Sequence, residues 1–171
     1  MSVLAVTAIG KDRPGLVAAV TGVLHERGGN IEDSAMTILG GHFAIVLLVT
    51  TDDDPDELDR VLHDQLTRFG LTISVSQAAL PATTLASTHL LSVYGADKPG
   101  IVATVTKALA ENDANIVDLE TQIVGQQDEP VYAMVLEFSC TDDEAVAAAI
   151  TRACQELGVD HTLRSIATET Y

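Results

Sequence analysis

Two short stretches of this 171-residue sequence combine residue types that could hold a small charged molecule. They are GKDRPG at 10–15 and GADKPG at 95–100, and both follow the pattern Gly-x-Asp-basic-Pro-Gly. In each stretch the Asp stands where a strand is predicted to give way to a helix. The unpaired amides of a helix start attract carboxylates, and a Gly lets a ligand approach the backbone closely. The pattern therefore favours a ligand-binding site at this turn from strand to helix, which we call the corner of each copy (residues 10–15 and 95–100).

A purely structural interpretation of the same residues is also open. The Asp could cap the helix amides, and the Pro suits a first helical turn, where its missing N–H costs nothing. Asn30 and Asn115, which follow the helix, are either turn residues that tolerate unusual backbone angles or ligand-facing amides that both donate and accept. The duplication of the whole corner favours the binding interpretation.

The duplication extends well beyond the corner. Residues 10–33 align with 95–118 without a gap, and 13 of the 24 pairs are identical, polar and special-backbone residues included. Further on, HFAIVLLV (42–49) lies over VYAMVLEF (131–138), which shifts the offset from 85 to 89 residues. The second copy thus carries four extra residues within GQQDEP (125–130), and we expect them in a loop because an insertion breaks a strand's ladder.

The elements that position the corner follow from periodicity. Apolar residues at i, i+1, i+4, i+7 and i+8 from Leu16 and from Ile101 predict an amphipathic helix after the first strand. Capping boxes at Asp54–Glu57 and Thr141–Glu144 predict where the second helices begin. We expect an α+β protein of two tandem ferredoxin-like βαββαβ domains, each an antiparallel four-stranded sheet with two helices on one face. The domains are 1–77 and 88–171, joined by a linker at 78–87.

Composition narrows the class of partner. The net charge is −16, with only nine basic residues and no basic run. Nucleic acids and anionic membranes bind Lys and Arg, so we expect neither as a direct partner. The sequence has no basic segment followed by an apolar one at its start, and we expect a soluble cytoplasmic protein.

Metal and catalytic motifs are absent from the sequence pattern. No two histidines have the i, i+4 spacing of a helical metal site, and neither Cys140 nor Cys154 has a basic neighbour in sequence to lower its pKa. We expect no metal, no cofactor and no catalytic residue, and we expect every histidine on the surface or in a turn. The histidines are His25, His42, His63, His89 and His161.

The two stretches GKDRPGLVAAVTGVL…GGNIED and GADKPGIVATVTKAL…DANIVD resemble the ACT domain, a ferredoxin-like module that senses small molecules. The first is also similar to the first copy in the glycine cleavage system transcriptional repressor group, which is likewise tandem. The resemblance implies a site where the first corner faces Asn115 and the second faces Asn30. The implied ligand-binding residues are Asp12, Arg13, Gly15, Leu16, Asn30, Ile31, Asp97, Lys98, Gly100, Ile101, Asn115 and Ile116.

The resemblance also implies a function. Helix-start amides would take the carboxylate of a small amino acid, glycine or serine being favoured, and Asp and Asn side chains would take its ammonium. The implied protein is a non-catalytic regulator that signals to a transcription factor or a metabolic enzyme. The alternative is a detached regulatory subunit of an amino acid or one-carbon enzyme. Exposed strand edges tend to find partners, and we expect a homodimer.

Overall fold

The structure is a computed structural model that describes residues 2–79, 87–126 and 129–166. The chain divides into two compact units, unit 1 (Met1–Ala82) and unit 2 (Thr83–Tyr171). Each unit has the element order βαββαβ. The predicted ferredoxin-like fold is confirmed in both copies. Most of the predicted linker, residues 80–86, lies outside the described residues.

The helices and strands follow the repeat closely. In unit 1 they are β1 (Ser2–Lys11), α1 (Leu16–Glu26), β2 (Asn30–Leu39), β3 (His42–Thr51), α2 (Pro55–Leu66), a 3-10 turn (Thr67–Phe69) and β4 (Leu71–Ala78). In unit 2 they are β5 (His89–Ala96), α3 (Ile101–Ala110), β6 (Asn115–Gln126), β7 (Glu129–Ser139), α4 (Asp143–Leu157) and β8 (Asp160–Ser165).

Each unit holds one antiparallel sheet. The strand orders are β2-β3-β1-β4 and β6-β7-β5-β8. The first strand therefore lies inside the sheet, paired with β3 on one side and β4 on the other in unit 1. Leu4, Val6 and Ala8 alternate along β1 and are fully buried. They share one core with apolar residues of both helices, which places α1 and α2 on the same face.

The strands β2 and β6 stand at a sheet edge. All ten positions of β2 are exposed, including the large apolar side chains of Met36, Ile38 and Leu39. Both strands also carry a register shift at the same point, between Ile31 and Asp33 and between Ile116 and Asp118. Such a bulge inserts one unpaired residue and re-aims the side chains beside it. The repeat thus preserves a local irregularity directly after each Asn.

The inserted residues of unit 2 correct one expectation. In unit 1 the hairpin closes through Gly40 and Gly41, both at positive φ. In unit 2 the ladder continues past the equivalent point, with Gly125 opposite Pro130 and Gln126 opposite Glu129. The insertion therefore adds two rungs to the ladder, where a loop was predicted. A hairpin end can lengthen without breaking pairing because both strands grow together.

The second helices begin at acidic caps. The Asp54 carboxylate accepts from the Asp56 amide at 3.0 Å, and the Asp142 carboxylate accepts from the Ala145 amide at 3.0 Å. The cap of α4 is therefore Asp142, one residue beyond the predicted Thr141. The side chain of Glu57 binds Arg60 at 2.8 Å. The capping-box pattern located each helix start to within one residue.

Candidate functional site

The two corners share one backbone conformation. Gly15 precedes α1 with φ 93° and ψ −1°, and Gly100 precedes α3 with φ 96° and ψ −3°. These angles are strained for any side chain with a Cβ, and the space in front of both glycines is open. The glycine is therefore required by its φ and leaves the helix start accessible to a ligand.

Neither corner Asp caps its helix, which corrects the structural interpretation of Asp12 and Asp97. The cap position belongs to the glycine, and no side chain of the described residues bonds to the first amides of α1 or α3. In unit 1 the backbone N–H of Asp12 donates to the Gly41 carbonyl at 2.9 Å. That bond ties the corner to the β2–β3 turn and leaves the Asp12 carboxylate exposed. The Pro precedes the capping glycine and so stands before the first helical turn.

The basic residue of each corner holds the corner against the end of the second helix. Arg13 donates to the Arg68 carbonyl at 3.3 Å and lies over the Phe69 ring at 5.0 Å. Lys98 donates to the Leu157 carbonyl at 3.1 Å. The carbonyls at a helix end carry partial negative charge and attract cations. Both basic side chains thus have a positioning role within their own unit.

A groove of about 510 Å³ opens at the first corner. Its walls are residues 12–18 on one side and Met36, Ile38 and Phe43 on the other. Its size lies within the range of small-molecule sites. Met36 and Ile38 are 50% and 53% exposed, so the groove is apolar and open to solvent. Sequence reasoning missed these three residues, although Met36 and Ile38 have the i, i+2 spacing of one strand face.

The corresponding place in unit 2 is chemically different. The repeat puts Thr121 at the position of Met36 and Tyr132 at that of Phe43. Both of these side chains carry a hydroxyl group. Burial raises the pKa of Tyr132, and the nearby Asp97 carboxylate adds to that rise. The second corner therefore presents a polar, acidic surface where the first presents a thioether and a phenyl ring.

The asparagines do not join the corner of their own unit. Asn30 opens β2 and pairs with Thr50, whereas the groove uses the other end of the strand, roughly 20–26 Å along it. The Asn30 amide donates to the Glu32 carboxylate at 2.8 Å. That hydrogen bond lowers the pKa of Glu32 below its usual value. Asn115 is also exposed and starts β6, opposite Ser139.

The apolar residues of the predicted set divide in the same way. Leu16 and Ile101 are each 2% exposed and belong to the cores of their units, and Leu16 also lines the groove. Ile31 is 38% exposed on its edge strand. The structure thus brings the predicted residues together as two separate groups in each unit, a corner group and an Asn-Ile group.

Two further features lie away from the corners. A depression of about 390 Å³ runs between α3 and α4, and its lining includes the charged side chains of Lys107, Glu111 and Glu156. Those side chains are exposed, and the depression is a solvated groove between helices. The expectation of a surface or turn position is wrong for His89, which is buried at the start of β5. No helix in the described ranges is both long and apolar enough to cross a membrane.

Known proteins similar to this chain agree with the architecture. The Escherichia coli K12 glycine cleavage system transcriptional repressor is 24% identical over 170 residues, which cover 95% of this chain and 90% of that protein. A UPF0237 protein of Methanopyrus kandleri is 40% identical over 70 residues, covering 41% of this chain and 77% of the relative.

Solved structures give the same result. A crystal structure of an unknown protein from Galdieria sulphuraria superposes with a TM-score of 0.83 at 30% identity, covering 97% of this chain and 99% of that one. A putative glycine cleavage system transcriptional repressor superposes with a TM-score of 0.73 at 19% identity, covering 96% and 97%, and shows the shared fold. A family model for the ACT domain matches residues 2–76 and 87–163. The predicted resemblance is confirmed, and the chain belongs to the ACT domain family as two tandem copies.

Proposed function

We propose that this protein is a non-catalytic regulator that binds a small amino acid at its ACT corners and signals to a partner protein. The observation that carries the proposal is the helix start of α1, which no described side chain caps and which adjoins an apolar groove of about 510 Å³. Uncapped amides favour a carboxylate, and the adjacent groove can accept the rest of a small molecule. The same backbone recurs at α3.

The asparagines enter the proposal from another ACT unit. Within one unit the Asn lies at the far end of its edge strand from the corner, so an Asn in the site must come from elsewhere. We therefore propose the pairing of Asp12 and its corner with Asn115, and of Asp97 and its corner with Asn30. Carboxylate and amide oxygens would together accept from the ligand's ammonium group.

The proposed role is regulation in amino acid or one-carbon metabolism. The chain resembles a transcriptional repressor of the glycine cleavage system over nearly its whole length. A net charge of −16 opposes direct contact with DNA. The regulatory signal would then pass through a protein partner, either a transcription factor or a metabolic enzyme. We also propose a homodimer, which sedimentation analysis of the purified chain can test.

Affinity is limited by ligand size. The best small ligands gain about 1.5 kcal/mol per heavy atom, so glycine could gain at most ~7.5 kcal/mol. A micromolar dissociation constant corresponds to about 8.2 kcal/mol. We therefore expect dissociation constants between roughly 10 micromolar and millimolar. Such values suit a sensor of abundant metabolites.

Calorimetric titration with the twenty amino acids tests the proposal. Asp12→Ala should abolish binding at the first corner and Asp97→Ala at the second, whereas the exposed Asp56→Ala on α2 is the matched control. If no amino acid binds at millimolar concentration, the sensor function is wrong. If binding survives both corner substitutions, the site is wrongly placed. A tagged protein that retains a transcription factor or a metabolic enzyme from its native extract then identifies the class of partner.

A further inference from the structure

A buried histidine, a cysteine and an aspartate meet at the end of unit 2 where β5 and α4 begin. His89 is 5% exposed and its ring stacks on Phe138 with centroids 5.1 Å apart. Cys140 follows β7, and Asp143 is the first residue of α4. The Cys140 Sγ is 3.5 Å from an Asp143 oxygen and 3.6 Å from His89 Nδ1, and His89 Nε2 is 3.6 Å from the same Asp143 oxygen.

The repeat shows that the fold does not need the side chains of His89 and Cys140. His89 pairs with Phe138 in the β5–β7 ladder as Leu4 pairs with Val49 in the β1–β3 ladder. Leu4 is fully buried, so packing at this position is satisfied by an apolar residue. The position of Cys140 is held by Thr51 in unit 1. A buried imidazole at the position where unit 1 has leucine loses apolar packing. Buried polar groups usually have a hydrogen-bonded or charged partner.

The hydrogen bonds around His89 indicate which ring nitrogen is available. Nδ1 lies 2.8 Å from the Thr88 hydroxyl, and that hydroxyl donates its own proton to the Phe138 carbonyl at 3.4 Å. Nδ1 is thus occupied by a hydrogen bond to the Thr88 hydroxyl, whereas Nε2 faces the Asp143 carboxylate oxygen at 3.6 Å. A metal ion can bond to both of these atoms at that separation.

We propose that His89, Cys140 and Asp143 form a binding site for a zinc-class divalent transition-metal ion. One ligand atom from each residue can be chosen so that all lie within 4.8 Å of one another. Tetrahedral zinc, with bonds of about 2.0–2.3 Å, separates its ligands by about 3.3–3.7 Å. For a metal ion bound by His89 Nε2, two separations fall in that range: the Asp143 oxygen lies 3.5 Å from Cys140 Sγ and 3.6 Å from Nε2. The Thr88 hydroxyl would then accept from Nδ1–H, which is the outer hydrogen bond that orients a ligating histidine.

The donor set selects the class of metal. Calcium and magnesium take oxygen ligands, whereas a site with sulfur, nitrogen and one carboxylate oxygen suits zinc, cobalt and similar ions. On binding, the Cys140 thiol loses its proton to solvent and the thiolate sulfur donates an electron pair to the ion. Three protein ligands leave a fourth position for water or another ligand. Sequence spacing could not reveal the site because its first two members are 51 residues apart.

Cobalt titration of the full chain after chelator treatment tests the site. Thiolate-bound tetrahedral Co²⁺ should give a near-ultraviolet charge-transfer band and strong visible bands, and Zn²⁺ should displace both. The test variants are His89→Leu and Cys140→Thr, which install the residues of unit 1, and Asp143→Asn at an exposed position. The controls are Cys154→Ala, the other cysteine, and His63→Ala, whose imidazole lies 3.3 Å from Asp59 on the exposed surface of α2.

We expect each test variant to lose at least about 100-fold in cobalt affinity and the controls to bind as the parent does. Zn²⁺ should also raise the melting temperature of the parent and not that of Cys140→Thr. The proposal is overturned by a missing charge-transfer band at millimolar cobalt, by a band that survives in Cys140→Thr, or by an equal loss in His63→Ala. If circular dichroism shows that His89→Leu is unfolded, Cys140→Thr and Asp143→Asn decide the question.

Discussion

The two corners of this protein share a backbone and differ in the side chains that face it. Both place a glycine near φ 95° before the helix and anchor a basic residue on the end of the second helix. Around the first corner stand Met36 and Phe43, whereas the second has the hydroxyl-bearing side chains of Thr121 and Tyr132. The backbone is therefore the common requirement of the duplicated module. The surrounding side chains are where the two copies diverge, and they would give the two sites different ligand preferences.

The strongest test of this shared backbone uses the first glycine of each hexapeptide. A Cβ at Gly10 would lie 2.7 Å from the backbone oxygen of Gly70, and one at Gly95 would lie 2.7 Å from a methyl carbon of Val159. A backbone oxygen cannot shift without disturbing the β1–β4 ladder. Rotation of the Val159 side chain removes its methyl contact and leaves only the tight contact with its Cβ at 3.1 Å. We expect Gly10→Ala to lower the free energy of unfolding by about 3 kcal/mol and Gly95→Ala by about 1–2 kcal/mol.

Urea unfolding with hydrogen exchange resolved by unit measures both effects. Gly22→Ala is the control, because a Cβ there meets open space within α1. It should stabilise the protein by about 0.5–1 kcal/mol through helix propensity. Equal losses of stability for Gly10→Ala and Gly95→Ala would contradict the expectation that a clash with a backbone oxygen costs more than a clash with a valine side chain.

An exchange of groove residues tests the difference in chemistry, given the proposed binding function. The double change Met36→Thr with Phe43→Tyr gives the first groove the side chains of the second. We expect about a tenfold loss of affinity for amino acids with apolar side chains, because a pocket gains roughly 1–3 kcal/mol per matched methylene. The reverse change, Thr121→Met with Tyr132→Phe, should increase that affinity in unit 2. Calorimetric titration with leucine and with serine measures the affinity changes of both double variants. If neither double variant changes its preference between the two amino acids, the assignment of ligand preference to these groove residues is wrong.

The raised pKa of Tyr132 predicts a pH effect confined to unit 2. Burial, the main cause, disfavours the ionised phenolate in the folded state. The unfolded chain therefore loses this proton at a lower pH than the folded chain. Stability contributed below pH ~10 is lost as pH rises through the folded pKa. Absorbance titration should show one late-titrating tyrosine that Tyr132→Phe removes. If Tyr132→Phe loses stability at the same pH as the parent, the effect does not come from Tyr132.

The smallest expected effect concerns the two asparagines. The Asn30 amide lowers the pKa of Glu32. The residue equivalent to Glu32 in unit 2 is Val117. Asn30→Ala should raise the Glu32 pKa towards its ordinary value, whereas Asn115→Ala has no carboxylate to affect at the equivalent position. Carboxyl-carbon NMR titration of the two variants measures this. A Glu32 pKa that is the same in Asn30→Ala and the parent would show that the hydrogen bond does not persist in solution.

The sequence predicted the parts of the fold that depend on local pattern. The apolar stripe from Leu16 located α1, and the acidic stretches located the starts of α2 and α4, because both signals act within one or two helical turns. The repeat located the corner and its twin. It also suggested a helix cap for Asp12, which was wrong, since a glycine in the left-handed region takes that position.

The remaining features of the groove and of the edge strands depend on strand pairing, which local sequence pattern does not reveal. Met36 and Phe43 line the groove because the β2–β3 register sets them beside the corner. The bulges after Asn30 and Asn115 have no marker in residue type. From the sequence alone, His89 is one polar residue at the start of a strand. The strand pairing shows that it occupies the position of the buried Leu4 in unit 1.

The bulge in β2 has a consequence for folding fidelity. A strand normally keeps its alignment because a slip by one residue would move its apolar side chains to water. With all ten positions exposed, β2 lacks that safeguard. The Gly40–Gly41 turn and the bulge at Glu32 fix its alignment from opposite ends. The bulge also twists the open edge, and Glu32 and Asp33 add charge there, and both features oppose open-ended edge-to-edge aggregation.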